Sequence, residues 1–176
     1  MENTPTKYSF KIVFCGIERV GKSTICSQFE TGDSKADYLP TSGATNIQKK
    51  VDICGTKILA NIWDVSGNLR FRQLSSLYLR GVQLIVFVYD ITRKESLTDI
   101  NEILEVYKTC KLENCLLSVL GNKNDLTELR EVTTKEAEKI SKEIGAEYFG
   151  EISCMESDTQ VISVMEKMLA RVISRN

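Results

Sequence analysis

Gly16-Ile17-Glu18-Arg19-Val20-Gly21-Lys22-Ser23 has the spacing G-x-x-x-x-G-K-S and constrains this chain more than any other stretch. An apolar run, Phe10 to Cys15, precedes it and reads as a buried strand; Ser23 to Glu30 continues as helix. A strand, a glycine-bearing loop and a helix in that order make a phosphate-binding loop. Glycines let the backbone curl until several N–H groups point inward, and the helix start adds its positive dipole end. Lys22 would reach the β- and γ-phosphates, and the Ser23 hydroxyl would hold Mg²⁺. The plainer reading is a glycine-rich turn.

Elsewhere apolar strands alternate with amphipathic helices. Strands are predicted at 8–15, 46–54, 57–64, 82–89, 115–121 and 147–152, with Gly55-Thr56 turning a hairpin between the second and third. Helices are predicted at 22–30, 68–79, 94–109, 134–144 and 158–174. Thr133 to Glu136, Ser157 to Gln160 and Thr92 to Glu95 have capping-box spacing, and Gly145 stops the fourth helix. This alternation predicts an α/β fold: a three-layer, mostly parallel six-stranded sheet with helices on both faces. Ligands then bind beyond the carboxyl ends of the strands, so the loops after 15, 64, 121 and 152 should converge on one crevice. The 176 residues carry no repeat or linker and are read as a loose tail, 1–7, followed by one domain, 8–176.

Composition excludes several chemistries. With no histidine, a His-based triad, a His general base and the usual Cys/His zinc sites are ruled out. A net charge of −1 gives no basic field for nucleic acid. Cys15, Cys26 and Cys115 lie in apolar runs and read as reduced core thiols of a cytoplasmic protein.

Each convergent loop carries a motif. Asp64-Val65-Ser66-Gly67 follows a strand; its carboxylate can meet Mg²⁺ through water and the Gly67 N–H can contact a γ-phosphate, though an Asp there also simply starts a turn. In Asn122-Lys123-Asn124-Asp125, the Asp125 carboxylate can accept from guanine N1–H and N2–H₂, donors that adenine lacks at that edge. Lys123 can lay its stem over the base. Backbone N–H groups around Ser153-Cys154-Met155 can bind the guanine carbonyl, while the segment alone says little.

In order and spacing these four segments resemble the Ras superfamily of small GTPases, over Tyr8 to Ile173. Trp63-Asp64-Val65-Ser66-Gly67-Asn68-Leu69-Arg70-Phe71-Arg72 is similar to the Rab sequence W-D-T-A-G-Q-E-R-F-R, which places the resemblance on the Rab branch. The resemblance implies a guanine-nucleotide switch in vesicle traffic that binds GTP or GDP with Mg²⁺ and hydrolyses GTP. The nucleotide would contact Gly16, Glu18, Arg19, Val20, Gly21, Lys22, Ser23, Thr24, Ser34, Tyr38, Thr41, Gly67, Asn122, Lys123, Asp125, Ser153, Cys154 and Met155. Metal contacts fall to Ser23, Thr41 and, via water, Asp64; catalysis falls to Lys22, Thr41, Gly67 and Asn68. Effectors, exchange factors and GTPase-activating proteins would read residues 35–46 and 66–80, which relax when the γ-phosphate is lost.

Departures from the family shape the expectation. Asn68 stands where a glutamine orients the attacking water and is one methylene shorter, so hydrolysis is expected to be slow, unless its segment shifts to compensate. Glu18 replaces a small residue near the γ-phosphate; it either repels the nucleotide and crowds an arginine finger, or pairs with Arg19 or Arg70 and points away. Ser34 replaces an aromatic ring that packs on guanine, which implies weaker affinity. Asn46 replaces a phenylalanine that in Rab proteins joins the equivalents of Trp63 and Tyr78 in an effector-facing patch. Those two rings read equally as packing beneath the switch segments. No cysteine lies near Arg175-Asn176, and Met1-Glu2 excludes myristoylation, so membrane contact is expected only indirectly, at endomembranes through partners. Together these departures keep a second reading open, a non-hydrolysing scaffold that uses the same fold.

Overall fold

The computed structural model describes residues 6–32, 43–68, 78–108, 110, 112, 114–156 and 158–175. Six strands form one sheet: β1 (Tyr8–Cys15), β2 (Ala44–Ile53), β3 (Thr56–Val65), β4 (Leu84–Asp90), β5 (Leu116–Asn122) and β6 (Glu147–Glu151). The helices are α1 (Lys22–Thr31), α2 (Lys94–Lys108), α3 (Thr134–Glu143) and α4 (Asp158–Ile173), with a 3₁₀ turn at Thr127–Leu129. The spatial order is β2-β3-β1-β4-β5-β6; β2 pairs antiparallel with β3 and every other pair is parallel.

Parallel strands need both faces covered, so they read as continuous apolar runs. All seven residues of β4 are buried. The period of two then divides each run between two cores. Phe10, Ile12 and Phe14 of β1 pack with Ile25 and Phe29 of α1 and with Met165, Met168 and Leu169 of α4. Val13 and Cys15 face the other way, among Leu97, Ile100, Ile103, Leu104 and Tyr107 of α2. Those α2 positions recur at helical spacing, so one stripe of the helix is apolar. Each buried Ile or Phe contributes about 1.5–3 kcal/mol relative to exposure. β1 is therefore clamped on both faces and between two parallel neighbours. The loop that leaves its carboxyl end starts from the most constrained part of the molecule, at the point where the strand order reverses.

The six-stranded, mainly parallel architecture agrees with the sequence; several local details differ. The hairpin turns at Cys54-Gly55, one residue earlier than expected, with φ of 50° and 81°. A two-residue hairpin needs positive φ at both positions. The Asp52 carboxylate accepts from the Gly55 N–H at 2.7 Å, and β-branched Thr56 enters the strand. Thr133 and Glu136 make the expected capping box, and Gly145 (φ 71°) ends α3 with its N–H on Lys142 O and that of Ala146 on Ser141 O. Thr92 and Glu95 make none: fully buried Asp90 needs donors and takes both the Thr92 N–H and hydroxyl, at 2.9 and 2.7 Å, while Glu95 pairs with Arg93. Gln160 accepts from the Ser153 N–H at 3.0 Å; Ser157 lies outside the described residues. So do the helix expected at 68–79, apart from Asn68, Tyr78 and Leu79, and the segment 33–42.

One polar network fixes the loops after β5 and β6. Arg130 donates to both Glu151 oxygens at 2.8 and 2.7 Å and to Asn124 Oδ1 at 2.9 Å. The Tyr89 hydroxyl donates to Glu151 Oε1 at 3.1 Å and meets the Tyr148 hydroxyl. Burial disfavours the Glu151 carboxylate, but the hydrogen bonds and charge of Arg130, with Tyr89, outweigh it and keep its carboxyl below the ordinary range. A depressed carboxyl pKa contributes stability above its unfolded value and loses it as pH falls through the folded value. Arg130→Gln, which leaves Glu151 with a poorer partner, should cost about 2–3 kcal/mol at neutral pH. Urea denaturation at neutral pH and at pH about 3 checks this: the gap between variant and parent should shrink at the acid end.

Candidate functional site

The loop 16–21 bends where its residue types permit. Gly16 (φ 143°) runs so close to β4 that a Cβ would stand 2.4 Å from Val88 O. Gly21 (φ 98°) caps α1, and its Cβ would meet Asn122 Nδ2 at 2.1 Å. Arg19 takes a left-handed φ of 66° without being glycine, the kind of local cost found at binding loops.

Lys22 opens α1 and is 6% exposed. Its ammonium donates to Gly16 O and Ile17 O, both at 2.9 Å, so it sits beneath the loop. Burial lowers its pKa, with the charge of Asp64 the first of several opposing influences. Beside it the Ser23 hydroxyl donates to Asp64 Oδ2 at 2.5 Å. Asp64 belongs to β3, which runs one residue past it, and is 3% exposed. A hydroxyl and a carboxylate in contact beside a polyphosphate cradle are hard oxygen ligands, the set that suits Mg²⁺ with its retained waters. Gly67 presses on the loop from the β3 side: a Cβ would lie 2.4 Å from Ile17 C and 2.5 Å from Glu18 N. The Asn68 N–H reaches Ser66 Oγ at 3.4 Å.

The other end is built by β5 and the turn after β6. Asn122 Nδ2 donates to Val20 O at 2.9 Å, and Cys154 Sγ donates to Asn122 Oδ1 at 3.4 Å, so this buried amide ties three loops together. Burial pushes the Cys154 thiol up to about 11. Lys123 has a left-handed φ of 67° and its ammonium lies 2.5 Å from Asp90 Oδ2, which fixes the direction of its stem. Asp125 Oδ1 accepts from the Ser153 hydroxyl at 2.6 Å, and Ser153 Oγ in turn accepts from the Met155 and Glu156 N–H groups. The Asp125 carboxylate is thereby aimed by a hydroxyl with no freedom to turn.

Between the ends lies a cavity of about 690 Å³. Glu18, Arg19, Gly21, Lys22, Ser23, Thr24 and Gly67 line its phosphate-loop end. Asn122, Lys123, Asp125, Cys154 and Met155 line the other. Gly16, Val20, Asp64, Asn68 and Ser153 do not line it. Val20 is core, Gly16 faces β4, Asp64 stands behind Ser23, and Ser153 aims Asp125. Ser34, Tyr38 and Thr41 lie outside the described residues. Sequence reasoning missed the lining residues Val65, Ser66 and Leu126, and the positioning residues Arg93, Asp90, Arg130 and Gln160. Leu126 had a signal, directly following Asp125. Arg93, which donates to Glu18 O at 2.9 Å across 75 residues, had none.

Comparison with known proteins agrees with this geometry. The family model described as "Ras family" matches residues 11–174. The Ras-related protein RABA5a of Arabidopsis thaliana is 34% identical over 170 residues, 96% of this chain and 76% of the relative. RABA6b of the same plant is 33% identical over 165 residues, covering 94% and 71%. The Ras-related protein Rab-4 of Dictyostelium discoideum is 36% identical over 138 residues, covering 78% and 67%. The chain belongs to the Ras family, as a Rab-like small GTPase.

Proposed function

We propose that residues 8–176 act as a single guanine-nucleotide switch domain that binds GTP and GDP with Mg²⁺ and hydrolyses GTP slowly. The observation that carries this reading is one cavity with a buried ammonium at one end and a hydroxyl-braced carboxylate at the other. A polyphosphate brings the Lys22 ammonium oxygens to exchange for the two loop carbonyls it now bonds. Asp125 can accept from both guanine donors, because a carboxylate offers about four lone-pair sites and Ser153 uses one. Adenine offers neither donor at that edge and would leave the remaining acceptor sites unmet beneath the bound base, which disfavours it. Bound Mg²⁺, held by Ser23 and Thr41 and through water by Asp64, would neutralise charge on the β- and γ-phosphate oxygens.

Lys22 stabilises negative charge that shifts toward the leaving oxygen as the γ-phosphoryl departs. Gly67 fits its segment against the loop because it has no Cβ. Asn68, a methylene short, holds the attacking water less well than glutamine would. The output is a state-dependent surface at residues 35–46 and 66–80, read by effectors, exchange factors and GTPase-activating proteins during vesicle traffic at endomembranes. The Trp63 and Tyr78 rings meet at a tilt of 37° with centroids 5.3 Å apart, Lys11 lies over the Trp63 ring, and Asn46 donates its amide to Ile62 O at 3.3 Å. That surface is more polar than the three-ring Rab patch, which supports a different set of partners. Among the described residues no helix is long and apolar enough to cross a membrane.

Thermal denaturation with nucleotide tests the binding. GDP with Mg²⁺ at a hundred times its dissociation constant should stabilise by about 2.7 kcal/mol, and ATP should not. No shift with either nucleotide would point to the scaffold instead; equal shifts would refute the role of Asp125. Gly21→Ala, whose Cβ would strike Asn122, should abolish the GDP shift. Asn68→Gln should raise single-turnover phosphate release by about ten- to a hundredfold; an unchanged rate would remove Asn68 from the account.

A further inference from the structure

The phosphate-binding loop carries a charge that gripping phosphate does not require. Glu18 is exposed and lines the Lys22 end of the cavity, close enough for its charge to act on the Lys22 ammonium. Its backbone is pinned from both sides. Arg93 Nη1 donates to Glu18 O at 2.9 Å, and Gly67 lies so near that a Cβ would come within 2.5 Å of Glu18 N. Arg93 Nη2 is engaged with Glu95. Arg93 thus fixes where Glu18 stands and does not neutralise it. Among the described residues no hydrogen bond or ion pair reaches the Glu18 carboxylate, so neither Arg19 nor Arg93 draws it away.

Glu18 N sits beside Gly67, whose N–H is assigned above to the γ-phosphate, so the carboxylate belongs to the terminal-phosphate end. A nucleoside triphosphate carries roughly one more negative charge there than a diphosphate. Lys22 attracts both nucleotides. The carboxylate opposes chiefly the added charge, and Arg19 next to it offsets part of that repulsion without removing it. We infer that Glu18 makes this pocket selective for the nucleoside diphosphate over the triphosphate, so that the diphosphate-loaded form is the resting state. The inference rests on the switch reading above.

A unit charge facing one extra unit about 5 Å away, near a protein surface and partly screened, sets the expected preference at roughly tenfold. The effect biases the populations of the two states without altering either fold. An exchange factor acting on such a protein would have to work against the pocket as well as against the nucleotide already in place.

Nucleotide-free protein is titrated at equilibrium, with Mg²⁺, against fluorescent GDP and a fluorescent imido analogue of GTP that is not hydrolysed. GDP should bind about tenfold more tightly, and the ratio should shrink as ionic strength rises from about 0.05 to 0.5 M. Glu18→Gln keeps the bulk and removes the charge, and should bring the two affinities within about twofold. Equal affinities in the parent protein, or a ratio that Glu18→Gln leaves unchanged, would overturn the inference while leaving the switch intact. A ratio that collapses in Glu18→Ala but not in Glu18→Gln would assign the effect to crowding and overturn it too. Failure to bind either nucleotide would remove the switch reading and this inference with it.

Discussion

A nearly buried ammonium is tolerable only where oxygen atoms converge on it, and Lys22 is the group around which this molecule is arranged. Its two carbonyl partners come from a loop that bends back over the start of α1, and the loop bends because Gly16 and Gly21 can take positive φ with another chain in contact. The loop in turn needs a fixed origin. β1 supplies it, since its residues face two separate cores and its backbone is paired on both edges. A shift of one residue in β1 would exchange its two faces and move the whole cradle. The same requirement explains Asp64: a carboxylate 3% exposed at the end of an apolar strand is costly, and it is placed where a hydroxyl and a neighbouring ammonium can offset the cost.

The fold was legible because the strongest signals are periodic. β4 is apolar up to its last residue, Asp90, β1 alternates between two cores, and α2 and α4 carry helical stripes, so element type and order follow from local pattern. What local pattern does not settle is where one small polar group goes when two partners compete. Thr92 has the spacing of a helix cap but is taken by Asp90, a buried carboxylate two residues earlier. Gln160 has the spacing of a capping partner but satisfies the Ser153 N–H. The hairpin shifted by one residue because Asp52 anchors Gly55, a side-chain contact that a search for turn dipeptides does not weigh. In each case hydrogen-bond satisfaction decided the boundary.

The site divides along the same line. Residues offered to the cavity come from short motifs, and most of those named from sequence line it: Lys22, Ser23, Gly67, Lys123 and Asp125 among them. Some residues that aim them, such as Ser153, also sit in motifs, but others are distant in sequence and carry none. Arg130 reaches Glu151 over 21 residues and Asn124 over 6, and Arg93 reaches Glu18 over 75. Asn122 is instructive because its motif pointed to a ligand, whereas its side chain links Val20 O to Cys154. A residue can belong to a binding motif by holding the walls of a pocket in register.

The departures from family pattern are unevenly distributed. The described end of the cavity at Asp125 has a braced carboxylate and an oriented lysine stem, with a bidentate arginine joined to the same loop through Asn124. At the Lys22 end Glu18 lines the cavity, and Asn68 follows the lining residue Gly67 in sequence. Recognition and turnover make different physical demands: recognition needs complementary donors and acceptors on a stationary ring, whereas turnover needs charge balance and a water placed to within about an ångström. On the proposed switch reading, a chain that keeps Asp125 braced while Glu18 and Asn68 depart from the family pattern would still choose guanine but move between states at a different rate. On the same reading, polar Asn46, which pairs with Trp63 across β2 and β3, would change the surface that partners read.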